Sequence, residues 1–129
     1  SFPYIAIFDG EKDWALKAEI KNNYDYRINE GDLRFSPDSK RGPWEMALTQ
    51  DYIVLLQRDT QVEGTIERNK EGMGMESIPR SLFVYDYNLN LKKIINMPFP
   101  MLRLCGDVKT NTVYAMAINQ EFELISIDL

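Results

Sequence analysis

Histidine is absent from the 129-residue sequence, and cysteine occurs once. Without histidine, the chain itself cannot form a Ser-His-Asp triad, a Cys-His nucleophile pair or a histidine-based zinc site. The single cysteine, Cys105, excludes an intrachain disulfide. Because Cys105 lies in the apolar run MLRLCG and free cysteine is among the most buried residue types, we expect it to be a small buried core residue.

Clusters of positive charge and long apolar runs are also missing. The 15 basic residues are scattered among 20 acidic ones, which gives a net charge of −5. This distribution argues against a nucleic-acid partner, because such proteins need a concentrated basic patch. No apolar run approaches the roughly 20 residues that a membrane-spanning helix requires. We therefore expect no membrane span in this chain, and no signal segment is recognisable in it.

Catalytic chemistry without histidine would depend on carboxylates. Four glutamates occur in the polar segment 60–80, namely Glu63, Glu67, Glu71 and Glu76. Two carboxyl groups about 5–10 Å apart could hydrolyse a glycosidic bond, but a solvated charged loop is the simpler interpretation. The stretch GMGMES lacks the lysine of a phosphate-binding loop, and DYNLN lacks the glycine and distal glutamate of a calcium loop. We therefore predict no catalytic residue, no metal site and no cofactor.

Alternating apolar and polar residues predict β-strands along most of the chain. Single strands are indicated at 4–9, 14–21 and 122–129, and strand pairs at 44–59, 81–97 and 101–119. Asp and Asn occur in the turns between paired strands, where left-handed backbone conformations are needed. A helix is an alternative only for EKDWALKAEIKNN. Two polar segments interrupt the pattern: 22–43, which has room for one short strand at YDYRI, and 60–80.

Two internal repeats organise these strands. The motif apolar-x-apolar-apolar-Asp occurs at 5–9, at 82–86 and, less perfectly, at 124–128. A second repeat aligns 47–56 with 107–116, which places Asp51 over Asn111. Together they describe units of four antiparallel strands recurring at about 40–50 residues, a spacing typical of β-propeller blades. A blade of this kind is apolar on both faces and has to be packed between neighbouring blades.

The stretch FSPDSKRGPWEMALTQDYIVLLQRD, followed by LFVYDYNLNLKKIINM and DVKTNTVYAMAINQEFELISIDL, resembles the C-terminal blades of the six-bladed, TolB-like propeller proteins of bacteria. The resemblance covers most of residues 35–129 and, more weakly, 3–21. It implies a propeller fold, export to the periplasm or cell surface, and a role in binding a protein or small molecule. It carries over no catalytic residues.

We therefore predict a single all-β unit over residues 1–129, with antiparallel four-stranded blades. It comprises a partial blade at 1–21, a full blade at 43–97 with 60–80 inserted, and a partial blade at 101–129. About two blades do not close a ring, so missing blades of a longer protein or other copies of the chain are expected to complete the sheets. One alternative is a free-standing antiparallel β-barrel or sandwich that binds a small ligand. Another is a carboxylate-based hydrolase or lyase, acting on saccharides or peptides, that missing blades complete.

Candidate binding residues are the large or charged side chains near the first strands of the units, which in a propeller line the channel. They are Arg41, Trp44, Arg58, Arg103 and Asp107. Exposed Trp and Arg are the commonest binding anchors, although a tryptophan at the start of a strand, such as Trp44, is more often part of the core.

The aspartates that close the repeated motif are Asp9, Asp86 and Asp128. Their recurrence suggests a function, but an Asp at the end of a strand also accepts backbone N–H groups and shapes the following turn. We interpret all three as turn-forming structural residues.

Overall fold

The computed structural model describes residues 4–21, 26–36, 41–58 and 78–129. Within these ranges the protein is all-β and consists of antiparallel sheets, as predicted, and it contains no helix. The described part of the chain accordingly has no helix that is long and apolar enough to cross a membrane.

The strands form four sheets. Their bounds are β1 (Tyr4–Asp9), β2 (Ala15–Lys21), β3 (Tyr26–Asn29), β4 (Asp32–Phe35), β5 (Glu45–Leu48), β6 (Tyr52–Gln57), β7 (Ser81–Asp86), β8 (Leu91–Asn96), β9 (Met101–Gly106), β10 (Thr112–Asn119) and β11 (Glu121–Asp128). Strands β5–β8 form a four-stranded sheet and β9–β11 a three-stranded sheet, while β1–β2 and β3–β4 are two-stranded. Within each sheet, strands that are adjacent in the chain pair with each other, so the two larger sheets are simple meanders and the two smaller ones are hairpins.

The predicted strands are confirmed, with two differences. The helix alternative for residues 11–23 is wrong, because Ala15–Lys21 pairs with β1 as a strand. The segment 22–43 holds two strands instead of one, since β3 and β4 form a hairpin in which Asn29 is paired with Asp32. Its two turn residues have positive φ angles, 51° at Glu30 and 87° at Gly31, as a tight hairpin turn requires.

One hydrophobic core lies between the four-stranded and the three-stranded sheet. Its fully buried members include Val54, Leu56, Leu82 and Val84 on one side and Met101, Val113, Ala115 and Ala117 on the other. Strand β10 shows the alternation that produces this face: Val113 and Ala115 are buried, whereas Tyr114 between them is 41% exposed.

Strand β6 is buried on both of its faces. Val54 and Leu56 join the core against the three-stranded sheet, whereas Ile53 and Leu55 point to the opposite face and are 3% and 1% exposed. Leu55 lines a groove whose other wall is formed by residues 4–6 of β1. The four-stranded sheet therefore has the three-stranded sheet on one face and β1 across a groove on the other, and β6 lies between them.

Hydrogen bonds join the turns at one end of the two larger sheets. The backbone N–H of Asp51 donates to Asn111 Oδ1 at 3.0 Å, and Asn111 Nδ2 donates to Asp51 Oδ2 at 2.8 Å. The backbone N–H of Gln50 donates to the carbonyl of Thr110 at 2.8 Å. The two residues that the sequence repeat aligns are thus in direct contact and hold neighbouring sheets together.

A β-bulge in β9 releases one carbonyl from the ladder. The register pairs Arg103 with Met116 and Met101 with Ala117, so Leu102 is the extra residue. A bulged residue is left without a partner in the ladder. The Leu102 carbonyl is therefore free to accept a bond from another sheet.

The prediction that Cys105 is buried is wrong, because its side chain is exposed. Its neighbour Leu104 is the residue of this pair that enters the core, at 9% exposure. Cys105 is paired with Tyr114 on the outer face of the sheet. The apolar run MLRLCG contains the bulge, so the phase of its alternation cannot be deduced from the letters alone.

Candidate functional site

Trp44 directly precedes β5, the first strand of the four-stranded sheet. Its backbone N–H donates to the carbonyl of Leu56 at 2.7 Å. Its indole Nε1–H donates to the released carbonyl of Leu102 at 3.0 Å. The ring also packs against the core between the two larger sheets. These contacts hold the partly buried indole in one orientation and make it a rigid platform.

Arg58 lies over this platform. Its guanidinium carbon is 4.2 Å from the centroid of the Trp44 ring. The pairing of Glu45 with Leu56 brings the start of β5 next to the end of β6, so Trp44 and Arg58 meet although they are distant in sequence. A cation over a tryptophan face stabilises by about 0.5–1 kcal/mol when exposed and about 2 kcal/mol when desolvated.

Arg41 supplies a second positive charge that acts on Arg58. Burial, and in addition the positive charge of Arg41, lower the pKa of Arg58. The Nε atoms of both arginines are shielded from solvent and have no hydrogen-bond partner. None of the ion pairs in the described parts of the chain includes either arginine. We call Arg41, Trp44 and Arg58 together the Trp44 site.

Gln57 connects the two backbone segments that carry these arginines. Its Nε2 donates to the carbonyl of Arg41 at 3.3 Å and to the carbonyl of Arg58 at 3.2 Å. Sequence reasoning missed Gln57, although a polar residue at the end of the apolar strand YIVLLQ is a signal that could have singled it out. The bonds fix the spacing of the two backbone segments from which the arginine side chains extend.

A groove of about 380 Å³ lies next to Trp44. Residues 4–6 of β1 form one wall, and Pro43, Trp44, Met46 and Leu55 contribute to the other. Its volume falls in the range of small-molecule pockets, which are mostly apolar with a few polar groups. The groove and Arg58 both contact Trp44.

Arg103, another predicted binding residue, is already paired. Its Nη1 donates to Glu45 Oε1 at 3.0 Å and to the Leu102 carbonyl at 3.0 Å. The second oxygen of Glu45 accepts the backbone N–H of Leu104 at 3.2 Å. Glu45, which sequence reasoning did not identify, thus links β5 to β9, and the Arg103 guanidinium has its counter-ion within the fold.

Asp107 lies in the turn after β9, away from the cluster. Its carboxylate accepts the backbone N–H of Lys109 at 2.9 Å and the hydroxyl of Thr110 at 3.2 Å. Of the five predicted binding residues, the structure therefore brings together Arg41, Trp44 and Arg58, and it gives Arg103 and Asp107 structural contacts.

The aspartates of the repeated motif differ in their contacts. Asp9 Oδ1 accepts the backbone N–H of Glu11 at 3.0 Å, within the turn after β1. Asp128 Oδ1 instead accepts the hydroxyl of Thr112, its cross-strand partner, at 2.8 Å. The shared sequence motif therefore supports a turn in one case and a strand pair in the other.

Asp86 is the most extensively bonded of the three. Its carboxylate accepts the backbone N–H groups of Asn88 and Asn90 at 2.9 Å each, and the side-chain amide of Asn90 at 3.0 Å. Lys92 Nζ lies 2.9 Å from Asp86 Oδ2. The bonds from Asn90, followed by that from Lys92, hold the pKa of Asp86 well below its usual range.

We expect Asp86→Asn to lower the thermal midpoint at pH 7 and the difference from the unaltered protein to shrink as the pH falls. A lowered folded-state pKa means that the unfolded chain binds more protons in the acid range, so the stabilisation is present above the ordinary pKa of about 3.9 and is lost below it. Thermal unfolding between pH 7 and pH 2 measures this. Asp9→Asn is the control, with a smaller expected effect because Asp9 accepts one backbone N–H. A gap that stays constant with pH would contradict the prediction.

The four glutamates considered for catalysis, Glu63, Glu67, Glu71 and Glu76, lie outside the described residues. Within the described ranges, no group of three or more metal-ligating side chains is close enough to hold an ion.

Comparison with protein-family models, with curated proteins and with solved structures gives no match to this chain. Its function therefore has to be inferred from the fold and from the Trp44 site.

Proposed function

We propose that the chain is part of a TolB-like β-propeller that binds a protein or small molecule outside the cytoplasm and performs no catalysis. The observation that carries the proposal is the burial of β6 on both faces, with the three-stranded sheet packed on one face and β1 across a groove on the other. A propeller blade is enclosed in this way by its neighbours, whereas each sheet of a two-layer sandwich buries one face.

The arrangement of β5 and β9, the first strands of neighbouring sheets, supports the same proposal. Trp44, before β5, contacts Leu102 near the start of β9, and Leu48 at the end of β5 lies against Gly106 at the end of β9. The two strands therefore run side by side in the same direction. Radially repeated blades place their first strands together in this manner around a central channel.

The binding role is supported by the Trp44 site. Its residues are near the start of β5, and tryptophan and arginine are the residue types that dominate binding energies. The chain has no histidine to activate a nucleophile. An aromatic platform with two cations suits recognition of a ligand and provides no acid–base pair.

The three-stranded sheet supports the proposal that a strand from outside this sequence completes it. Within the described residues β11 pairs with β10 alone, whereas the preceding sheet has four strands. Its exposed residues include Phe122 at 71% and Leu124 at 79% exposure. An edge strand of eight residues is a template for a further strand, which missing blades or another copy of the chain would supply.

The length of the open reading frame that encodes this sequence tests the propeller proposal. We expect the reading frame to encode about 350 residues, since a closed ring needs about six blades of this size, and to contain further copies of the apolar-x-apolar-apolar-Asp motif. A reading frame of only these 129 residues, together with a monomer in sedimentation, would overturn the proposal in favour of a barrel or sandwich. Turnover of a saccharide or peptide by the encoded protein would contradict the absence of catalysis.

A further inference from the structure

The two arginines of the Trp44 site carry like charges that repel each other. Partial burial strengthens the repulsion because the surrounding dielectric is lower than that of water. The protein as a whole is acidic, with 20 acidic and 15 basic residues, so counter-ions are not scarce. Arg103 in fact pairs with Glu45, whereas no ion pair of the described residues involves Arg41 or Arg58.

One hydrogen-bond donor of each arginine is also unused. The Nε–H of Arg41 and the Nε–H of Arg58 are both shielded from solvent and have no acceptor. Buried polar groups are normally satisfied, so two unpaired donors at one place require an explanation. The Nε–H and Nη–H groups of a guanidinium form a planar fork that matches the two oxygens of a carboxylate or a phosphate.

The fork of Arg58 is held in place before any ligand arrives. Its guanidinium is stacked on Trp44 at 4.2 Å, and the indole is itself fixed by its bond to the Leu102 carbonyl. Gln57 ties the backbone of Arg41 to that of Arg58. Pre-organised donors bind more tightly because less side-chain freedom is lost on binding.

We infer that the Trp44 site binds a small oxyanion, a carboxylate or phosphate group, held between the guanidinium groups of Arg41 and Arg58. The anion would accept hydrogen bonds from the accessible N–H groups of the guanidinium pair and neutralise the two charges. The inference rests on the proposed binding role and names the chemical class of the ligand.

Trp44 fluorescence reports on this site directly. The chain has two tryptophans, and Trp14→Phe leaves Trp44 as the single tryptophan, which is excited selectively on the long-wavelength side of tyrosine absorption. Trp14 is 74% exposed in a turn, so this background is expected to fold normally. Inorganic phosphate and acetate are titrated separately at constant ionic strength. We expect a saturable change in emission with at least one of them, and a response to one anion alone assigns the site to that class.

Charge variants distinguish specific binding at Arg41 and Arg58 from non-specific attraction of an anion to any positive charge. We expect Arg58→Gln and Arg41→Gln each to weaken binding about tenfold or more, because each removes charge-assisted hydrogen bonds. Arg58→Lys keeps the charge but loses the fork, so its affinity should be intermediate. Arg34→Gln is the matched control: it removes the same charge from exposed strand β4 and should leave binding unchanged.

Three outcomes would overturn the inference: no saturable response to either anion, no loss of affinity in Arg58→Gln or Arg41→Gln, or an equal loss in Arg34→Gln. Circular dichroism checks that each variant is folded. If Arg58→Gln does not fold, the affinity of Arg41→Gln tests the inference. If the site binds no anion but the open reading frame encodes further blades, the propeller proposal still stands. The two proposals can therefore fail independently.

Discussion

Replacing Gly106 by alanine is expected to destabilise the protein by about 3 kcal/mol, the upper end of the usual range for overpacking. A Cβ atom at this position would clash with the carbonyl oxygen of Leu48 and would lie 2.7 Å from its carbonyl carbon. These are backbone atoms, so no side-chain rotation can relieve the clash. The end of β9 would have to move away from the end of β5, and the core between the two sheets would open.

Urea denaturation of the variant and the unaltered protein measures this effect as a shift in the transition midpoint. Gly10→Ala is the matched control, because its added Cβ would meet only the Trp14 ring at 3.8 Å, an ordinary contact. We expect that variant to change the free energy of unfolding by less than about 0.5 kcal/mol. Equal midpoints for the two variants would show that the close approach of β9 to β5 does not occur in solution.

Gly106 explains how the neighbouring sheets are aligned. Close contact at Leu48 sets their separation at one end, near the Asn111–Asp51 bonds that join the turns. At the other end of β5, Trp44 and Glu45 bond to residues of β9. The two sheets are therefore fixed relative to each other at both ends, which gives the Trp44 site a rigid support.

The alternation and the repeats in the sequence were enough to predict the strands, whereas the contact between the repeated turns was found in the structure. Alternation identifies a strand because one face is buried, and a repeated unit has to pack against its copy. Asp51 and Asn111 were aligned by sequence and are bonded in the structure. These features depend on patterns of neighbouring residues, which can be recognised in a single sequence.

Features set by contacts between distant residues could not be predicted. The orientation of Cys105 depends on a bulge whose extra residue is Leu102, and no turn residue marks it. The turn after β7 was expected to use Asn or Asp for its left-handed position, yet Leu89 has the φ of 62°. The bonds that Asp86 makes to Asn88 and Asn90 hold the backbone on either side of Leu89.

The candidate site was predictable by residue type and not by geometry. Tryptophan and arginine near strand ends suggested binding residues, and three of the five form one cluster. The sequence does not show that Arg103 has a counter-ion in Glu45, whereas Arg41 has none among the described residues. That difference decides which arginines remain available to a ligand.

Replacing Trp44 by alanine is expected to cost about 3 kcal/mol of stability, the low end for a large aromatic residue because the ring is only partly buried. The change removes packing against the core, the bond to the Leu102 carbonyl and the support of Arg58. Trp44→Phe keeps most of the packing and loses the indole N–H, so about 1 kcal/mol is expected. Thermal and urea unfolding measure both.

The other tryptophan is the control for this prediction. Trp14 is 74% exposed and lies in the turn between β1 and β2, so Trp14→Ala should stay within about 0.5 kcal/mol of the unaltered protein. If Trp44→Ala is as mild as Trp14→Ala, then Trp44 does not connect the two sheets. A destabilised Trp44→Phe that still binds the anion, with binding followed by calorimetry, would assign the indole N–H to the fold and the aromatic face to the site. This separation follows from the geometry, because the N–H points to Leu102 while the ring face supports Arg58.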